Sequence, residues 1–475
     1  MGALVDDVLA SALERADLND KITVDRDRIV LPSPLPVADL AAAAVGAASI
    51  AADVLTHVRE HDRPAQAHEV SQVRLDGATL TAAYRSEQVF RLNGEPPTAW
   101  APASGFFRTA SGWVRTHANY RHHADELKWL LGLPSVSDPD QVAAALREGK
   151  AAEWEERAAR VGAIIIRVRT RDEWLEHPQR AAVAAEPLVT RHVRDVHAPP
   201  LPPPDTPTGQ AEFHRPLTGV RVLDLTRVIA GPVATRTLAA FGADVLRVDP
   251  PHLPEIGWQY LDTGDGKRST LLNLARSRDR ARFDELLSTA DVLVTSYRPR
   301  ALDRFGYGPG QLRERFPHVI IASVNAWGTT GMWARRRGFD SIVQAASGIA
   351  MRHASNGRPG VLPAQALDHS AGYLLAAAVM HALAQRQLTG VVHELTVSLA
   401  RLAELLFDAE PKAEPPATVS APENEGSWRD KVDVIHGPDG VPITRARSAL
   451  VFRGEPVDTT TRPPGAYGAD PGVWR

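Results

Sequence analysis

From Val220 onward, hydrophobic and polar positions alternate between two rhythms. Val220-Arg221-Val222-Leu223-Asp224-Leu225 is a short apolar run of strand type, and Gly231-Pro232 then opens a stretch with helical apolar spacing to about Phe241. Gly242-Ala243-Asp244 turns into a second strand, Val245-Leu246-Arg247-Val248. Arg280–Ala290 reads as helix, Val292–Val294 as strand, Gln311–Phe316 as helix and Val319–Val324 as strand. Such alternation predicts right-handed βαβ units and a parallel sheet covered on both faces, a Rossmann-like doubly wound α/β domain.

Upstream the pattern differs. Helices are expected at about 40–58, 122–132 and 140–160, with a hairpin through Phe106–Thr109 and Gly112–Val114 and a strand at Ala163–Val168. That is a smaller α+β arrangement without a phosphate-binding turn after its first strand. Pro199-Pro200-Leu201-Pro202-Pro203-Pro204, continuing to Pro207, can sit in neither helix nor central strand and reads as a stiff linker. Glu410–Glu425, rich in Pro, Glu and Ala, reads as flexible, and a short apolar run, Ala449–Phe452, lies in the tail beyond it. The expected organisation is 1–198 as a helical segment plus the small α+β domain, 199–215 as linker, 216–408 as the Rossmann-like domain, and 409–475 as flexible segment and tail.

One internal repeat is visible. Leu35-Pro36-Val37-Ala38-Asp39 leads into an Ala-rich helix and then His68-Glu69-Val70-Ser71; Leu362-Pro363 to Asp368 leads into another and then His393-Glu394-Leu395-Thr396. Both sides of the linker therefore carry a copy of one supersecondary unit.

Composition narrows the function classes. The chain has 475 residues, 23% charged and 44% hydrophobic, with a net charge of −3, so no electrostatic case exists for nucleic acid or an anionic membrane as partner. It has no Cys, which excludes a disulfide framework, a thiol nucleophile and thiolate metal sites, and fits a reducing cytoplasm. Of the basic residues six are Lys and 48 are Arg, so a single Arg carries little weight. The start, Met1–Asp20, lacks the order of a signal peptide. The Ala-rich runs Leu40–Ala52 and Ser370–Ala384 fall short of a bilayer span and read as buried helices of a soluble protein.

Candidate chemistry centres on Asp368, placed immediately before a helix expected to begin near Ser370. It reads either as a helix N-cap or as a carboxylate nucleophile whose ionised form the helix dipole favours. The turn Thr226–Pro232 lies where an open α/β sheet binds ligands, but it is not G-x-G-x-x-G, so the dinucleotide fingerprint is missing. Gly264–Ser269 lacks the leading Gly of a P-loop. Tyr297–Arg304 supplies three guanidinium groups for phosphate or, alternatively, a solvated helix start. His117, His122 and His123 have no matching carboxylate spacing, so no metal site is expected.

Taken in order, Pro216–Thr226 with Ala230-Gly231-Pro232, then Gly242-Ala243-Asp244-Val245 to Pro251, Lys267-Arg268-Ser269, Arg298-Pro299 through Gly306, and Gly338-Phe339-Asp340…Gln344…Ser347-Gly348 resemble the class III CoA-transferases. Asp368 falls on that family's catalytic aspartate. The resemblance implies transfer of CoA from an acyl-CoA to a carboxylic acid through an aspartyl anhydride and an aspartyl-CoA thioester, with CoA as substrate and no metal. It also implies CoA contacts at Arg227, Val228, Ile229, Ala230, Lys267, Arg268, Tyr297, Ala301, Arg304 and Arg337, and a homodimer of interlaced chains. The family position at Pro250 is often Arg. The related 2-methylacyl-CoA racemases place a proton-shuttling His where this chain has Phe339, which cannot exchange a proton.

The order of blocks departs from the family. Phe107–Trp113 and Val168-Arg169-Thr170…Glu173-Trp174…His177-Pro178-Gln179 resemble a small domain that family members place after the catalytic helix, and here they come first. The first half thus resembles a copy lacking its nucleotide domain, with Asp39 as the relic of Asp368, and the second a copy lacking its small domain. The alternatives to a transferase are a non-catalytic CoA-binding or complex-forming subunit and, third, a racemase or epimerase.

Overall fold

In the computed structural model, which describes residues 2–202, 215–409, 426–460 and 462–475, the first half runs from α1 (Val37–His61) to a hairpin, β1 (Phe106–Thr109) and β2 (Gly112–Thr116). Helices α2 (Arg121–Leu131), α3 (Pro139–Arg147) and α4 (Ala151–Val161) follow, then β3 (Ile165–Arg167), which pairs antiparallel with β2. Phe107, Val114, Leu127, Leu146, Trp154 and Ile165 close a small separate core here. The last strand of this half is β4 (Val189–His197).

The second half builds the large sheet. Its elements are β5 (Arg221–Leu225), α5 (Ala230–Ala240), β6 (Asp244–Asp249), β7 (Lys267–Leu271), β8 (Val292–Thr295), β9 (Ile320–Asn325), α6 (Asp340–Ser347), α7 (Ala366–Thr389), β10 (Val391–Ser398) and α8 (Leu399–Asp408). The sheet order is β7-β6-β5-β8-β9-β10-β4, parallel through β10. The chain steps outward from β5 to β7 and then returns to the other side of β5 as β8. That reversal leaves a crevice beyond the carboxyl ends of β5 and β8, the switch point at which such sheets bind ligands.

The seventh strand comes from the other half: β4 runs antiparallel to β10, with Val189 opposite Val397. The boundary at 199–215 therefore falls between segments that share one sheet and one core. Residues 199–202 are themselves held, since Arg386 Nε donates to the Pro199 carbonyl (2.9 Å) and Arg59 to that of Pro202 (2.6 Å). Linker residues 203–214 and the stretch 410–425 lie outside the described residues. The tail is integrated at two places. Residues Val432–His436 and Pro442–Ala446 form a sheet with Arg91–Leu92 of the first half, and Asp470 exchanges backbone and side-chain hydrogen bonds of 2.8 Å with Ser269 on the β7 edge. Val451, from the apolar run read in the tail, packs into the main core.

The two copies of the repeat meet in the centre, where α1 and α7 pack on each other. Both are apolar almost all round, and a helix of that composition has to be buried. Helix α1 is longer than the run Leu40–Ala52 suggests: its 25 residues are long and apolar enough to cross a bilayer, but 89% of that apolar window is buried in the protein. After the helix the copies diverge. His393 and Glu394 lie in β10, whereas His68 and Glu69 lie in a short turn before Val73–Leu75, which among the described residues pairs only with Ile22–Val24.

Helix α7 approaches α5 through Gly372, where a Cβ would lie 2.6 Å from the Ala230 carbonyl oxygen and 2.7 Å from Val233 Cβ. Neither neighbour is a flexible side-chain end. Gly372→Ala is therefore expected to destabilise the protein by about 1–3 kcal/mol through overpacking, read as a lower denaturant midpoint with an unchanged m-value.

Candidate active site at the switch point

A cavity of about 660 Å³ fills the crevice. Its walls are the Arg227–Ala230 turn after β5, Asp249 at the end of β6, the Tyr297–Arg304 loop after β8, Arg337 and Phe339, and Asp368. Tyr120, His122 and His123 of the first half complete it, so a single chain contributes both sides.

Helix α7 starts at Ala366, so Asp368 stands in its first turn and not at the N-cap; Gln365 occupies the cap and makes no side-chain capping bond. Asp39 has the same place, third in α1, but it pairs with Arg26 (2.5 Å) and does not line the cavity. Asp368 is 6% exposed, and its backbone N–H donates to Asp340 Oδ2 (3.0 Å). Gln344 donates to the other oxygen of Asp340 and accepts from the Leu362 N–H (2.8 Å), so α6 holds the start of α7. Burial and then the Asp340 charge push the Asp368 carboxyl well above the usual range, and burial raises Asp340 to about 6. The helix dipole does favour the ionised form, but it contributes only about 0.3–1 kcal/mol at a helix end. Desolvation outweighs it.

The turn after β5 is shaped from below. Asp224, fully buried, accepts from Thr226 N (2.9 Å), Thr226 Oγ1 (2.5 Å), Thr235 Oγ1 (2.6 Å) and Lys267 Nζ (3.1 Å), and Lys267 also donates to the Pro232 carbonyl (2.9 Å). Val228 is held at φ +69°, a strained conformation for a β-branched residue that costs about 1–3 kcal/mol. Its N–H donates to Glu255 Oε2 (3.2 Å). Glu255 is the hub: it also accepts from Arg247 Nη2 (2.7 Å) and from the Tyr120 hydroxyl, and lies 3.7 Å from Arg227 Nε. Burial alone would raise this carboxyl, but Arg247 and Arg227 outweigh it and hold it below the usual range. Tyr120 thereby ties the small domain to the turn.

Of the residues singled out in the sequence, Asp368, Arg227, Val228, Ile229, Ala230, Tyr297, Ala301, Arg304 and Arg337 line the cavity. Lys267 and Arg268 do not. They alternate on strand β7, where Lys267 is buried against Asp224 and Arg268 is paired with Asp244 (2.8 Å), so neither is free to meet a ligand. Arg227 donates to the Leu253 and Pro254 carbonyls (2.8 and 2.6 Å), and Arg337 is tied to Glu126 and the Gly162 carbonyl of the small domain. Arg298, Arg300 and Arg304, by contrast, are exposed on the cavity loop and form no ion pair among the described residues. Arg300 is a second strained residue, at φ +71°.

Sequence reading missed Tyr120 and Glu255. No local pattern marks either, because their importance comes from a contact spanning 135 residues. It weighed His117, His122 and His123 only as metal ligands. The structure stacks His117 on Phe339 (centroids 3.8 Å, 8°) and places His123 edge-on to the same ring. Burial lowers His117 to about 3 and His123 to about 2, so both are neutral.

The probable fatty acyl-CoA transferase Rv3272 of Mycobacterium tuberculosis is 32% identical over 203 residues, 40% of this chain and 52% of that protein. The acetyl-CoA:oxalate CoA-transferase of Acetobacter aceti is 35% identical over 207 residues, 41% of this chain and 53% of that protein. A crystal structure of the mycobacterial protein matches 40% of this chain and 55% of its own at 34% identity, with a TM-score of 0.38. The chain thus spans about half the length of these relatives. The description CoA-transferase family III matches residues 22–199 and 217–433, that is, both halves on either side of the proline-rich linker, and the chain belongs to that family.

Proposed function

We propose that the chain transfers CoA from an acyl-CoA thioester to a carboxylic acid, with Asp368 as the group that carries first the acyl unit and then CoA. The observation that supports this reading is a buried carboxylate on the wall of a cavity that the Tyr297–Arg304 loop also lines, with three arginines that form no ion pair among the described residues. An Asp so placed can act as a covalent nucleophile, and guanidinium groups suit the phosphates of CoA.

The chemistry balances without a proton donor. An Asp368 carboxylate oxygen attacks the thioester carbonyl, the C–S bond breaks, and CoA leaves as thiolate, giving an acyl-aspartyl anhydride. The thiolate attacks the Asp368 carbonyl carbon and the acyl group departs as a carboxylate, leaving an aspartyl-CoA thioester. An incoming carboxylate attacks that thioester and releases the thiolate. The thiolate then attacks the new acyl carbonyl and returns Asp368 to its carboxylate form. Asp340 and Gln344 position Asp368, while Tyr120 and Glu255 hold the turn against which the thioester lies. Neutral His117 stacked on Phe339 offers no charged acid beside the carboxylate, in keeping with transfer and not with proton exchange at an α-carbon.

Asp368→Asn is expected to lower CoA exchange by at least about 10³-fold, the scale seen when a covalent nucleophile is lost, and to abolish a hydroxylamine-trapped adduct found by mass spectrometry; full exchange in the variant would overturn the assignment. Arg298→Ala and Arg304→Ala are each expected to raise KM for acyl-CoA by about 10–100-fold, the equivalent of one charge-assisted contact of about 1.5–3 kcal/mol, with kcat little changed in steady-state assays.

Because the reacting form is the ionised one, kcat/KM is expected to rise with pH through the raised Asp368 ionisation. The same shifts act on stability with a defined sign. Asp340 and Asp368 hold protons more tightly folded than unfolded, so their contribution is largest below the ordinary carboxylate range and is lost as pH rises past about 6 for Asp340 and higher for Asp368. Thermal unfolding of Asp368→Asn is therefore expected to show a stability gain over the parent that is larger at pH 8 than at pH 5.

A further inference from the structure

Beside the main cavity lies a second, smaller chamber of about 40 Å³ that shares Val228, Ile229, Phe339 and Asp368 with it. The rest of its lining comes from both halves of the chain. Five of its lining residues carry buried polar atoms that have no hydrogen-bond partner: Glu87 Oε2, His117 Nδ1, Trp258 Nε1, Gln259 Oε1 and Ser341 Oγ. His117, Gln259 and Ser341 are only 4%, 6% and 2% exposed. Buried polar atoms are nearly always satisfied, because leaving them unpaired forfeits their hydration. Five such residues around one void next to the candidate nucleophile indicate a partner that arrives with the ligand.

We propose that this chamber is the acyl subsite and that it takes a short, neutral acyl group bearing a hydroxyl. The inference rests on the CoA-transfer reading and adds the substrate class. Size sets the first limit: one water-sized group needs about 10–15 Å³ on this measure, so the chamber holds about three such groups and excludes a long alkyl chain. Polarity sets the second. A Trp N–H that only donates, an amide oxygen that accepts and a Ser hydroxyl that does both match a hydroxyl, which both donates and accepts. Charge sets the third. No Lys or Arg is among the chamber's lining residues, and burial keeps His117 neutral. A second carboxylate on the acyl group would face Glu87 and Asp368, while the nearby Arg115 guanidinium stands outside the lining, on the Trp100 ring 4.7 Å from its centroid, so a dicarboxylic acyl group is disfavoured as well. Burial raises the Glu87 carboxyl to about 7, which leaves it able to donate or accept.

A site built to hydrogen-bond a substrate hydroxyl rejects the analogue that lacks it far more strongly than an apolar pocket rejects an added one. The test is direct titration of the full chain with 2-hydroxypropionyl-CoA, propionyl-CoA, succinyl-CoA and octanoyl-CoA, with CoA exchange measured on the same set. The hydroxy compound is expected to bind at least tenfold tighter than each of the other three, and Gln259→Leu and, independently, Ser341→Ala are each expected to cut that preference below threefold. Propionyl-CoA, succinyl-CoA or octanoyl-CoA binding as tightly as the hydroxy compound overturns the subsite, as does a preference that survives in both variants. The binding preference without exchange on any thioester would leave the subsite standing and remove the transferase reading; exchange without the preference would do the reverse.

Discussion

The structure depends on burying two Ala-rich helices that can be solvated on no face. Helix α1 is buried from Leu40 to Val58 and α7 from Ala366 to Ala384, and each supplies a large part of the other's cover. Transfer of that much apolar surface from water is the dominant favourable term available to a chain without disulfides. Once the helices pair, the two halves cannot remain separate domains. Strand β4 is brought to the edge of the large sheet, and the small domain is brought over the crevice.

That placement has electrostatic consequences. The crevice collects buried charges from several elements, and each is held by a partner specific to it: Lys267 on Asp224 beneath the turn, Arg247 and Tyr120 on Glu255 beside it, and Arg337 on Glu126 across to the small domain. These pairs spend their charge on positioning. Among the described residues, Asp368 with its raised ionisation and the three arginines of the Tyr297–Arg304 loop have no ion-pair partner. Strain at Val228 and Arg300 lies on the same cavity, as expected where surrounding contacts over-determine a backbone that a ligand must approach.

The small α+β part precedes the large sheet in sequence and still reaches the crevice, because it docks through side-chain contacts and through the neighbouring β4–β10 strand pair. Glu404 of α8 accepts from Arg171, Trp174 and Arg180, and Gln179 holds the carbonyls of Trp327 and Thr330, so the Val168–Gln179 block docks on the second half. The first half has its own long helix with an Asp in its first turn, but Asp39 is paired with Arg26 and does not line the crevice cavity. Both halves of one chain therefore line the same cavity.

Much of this was legible from local pattern. The strands β5, β6, β8 and β9 and the helices between them follow from apolar runs and turn residues, because a parallel sheet covered on both faces needs continuous hydrophobic segments. Residues near the ends of β5 and β8 were directed to the crevice whose cavity they line, since the position of that crevice is a property of topology. Strand β7 was not read as a strand, because Lys267-Arg268-Ser269-Thr270 is polar on both faces and its neutralising partners, Asp224 and Asp244, lie 43 and 24 residues away. The sequence by itself determined the α/β class, the repeat and Asp368 as the candidate nucleophile, all of which are written in short-range periodicity and motif order. Only the tertiary structure decided which cations are free, that Tyr120 and Glu255 join the halves, and that a polar chamber adjoins Asp368, because charge pairing and desolvation depend on neighbours that no local stretch of sequence contains.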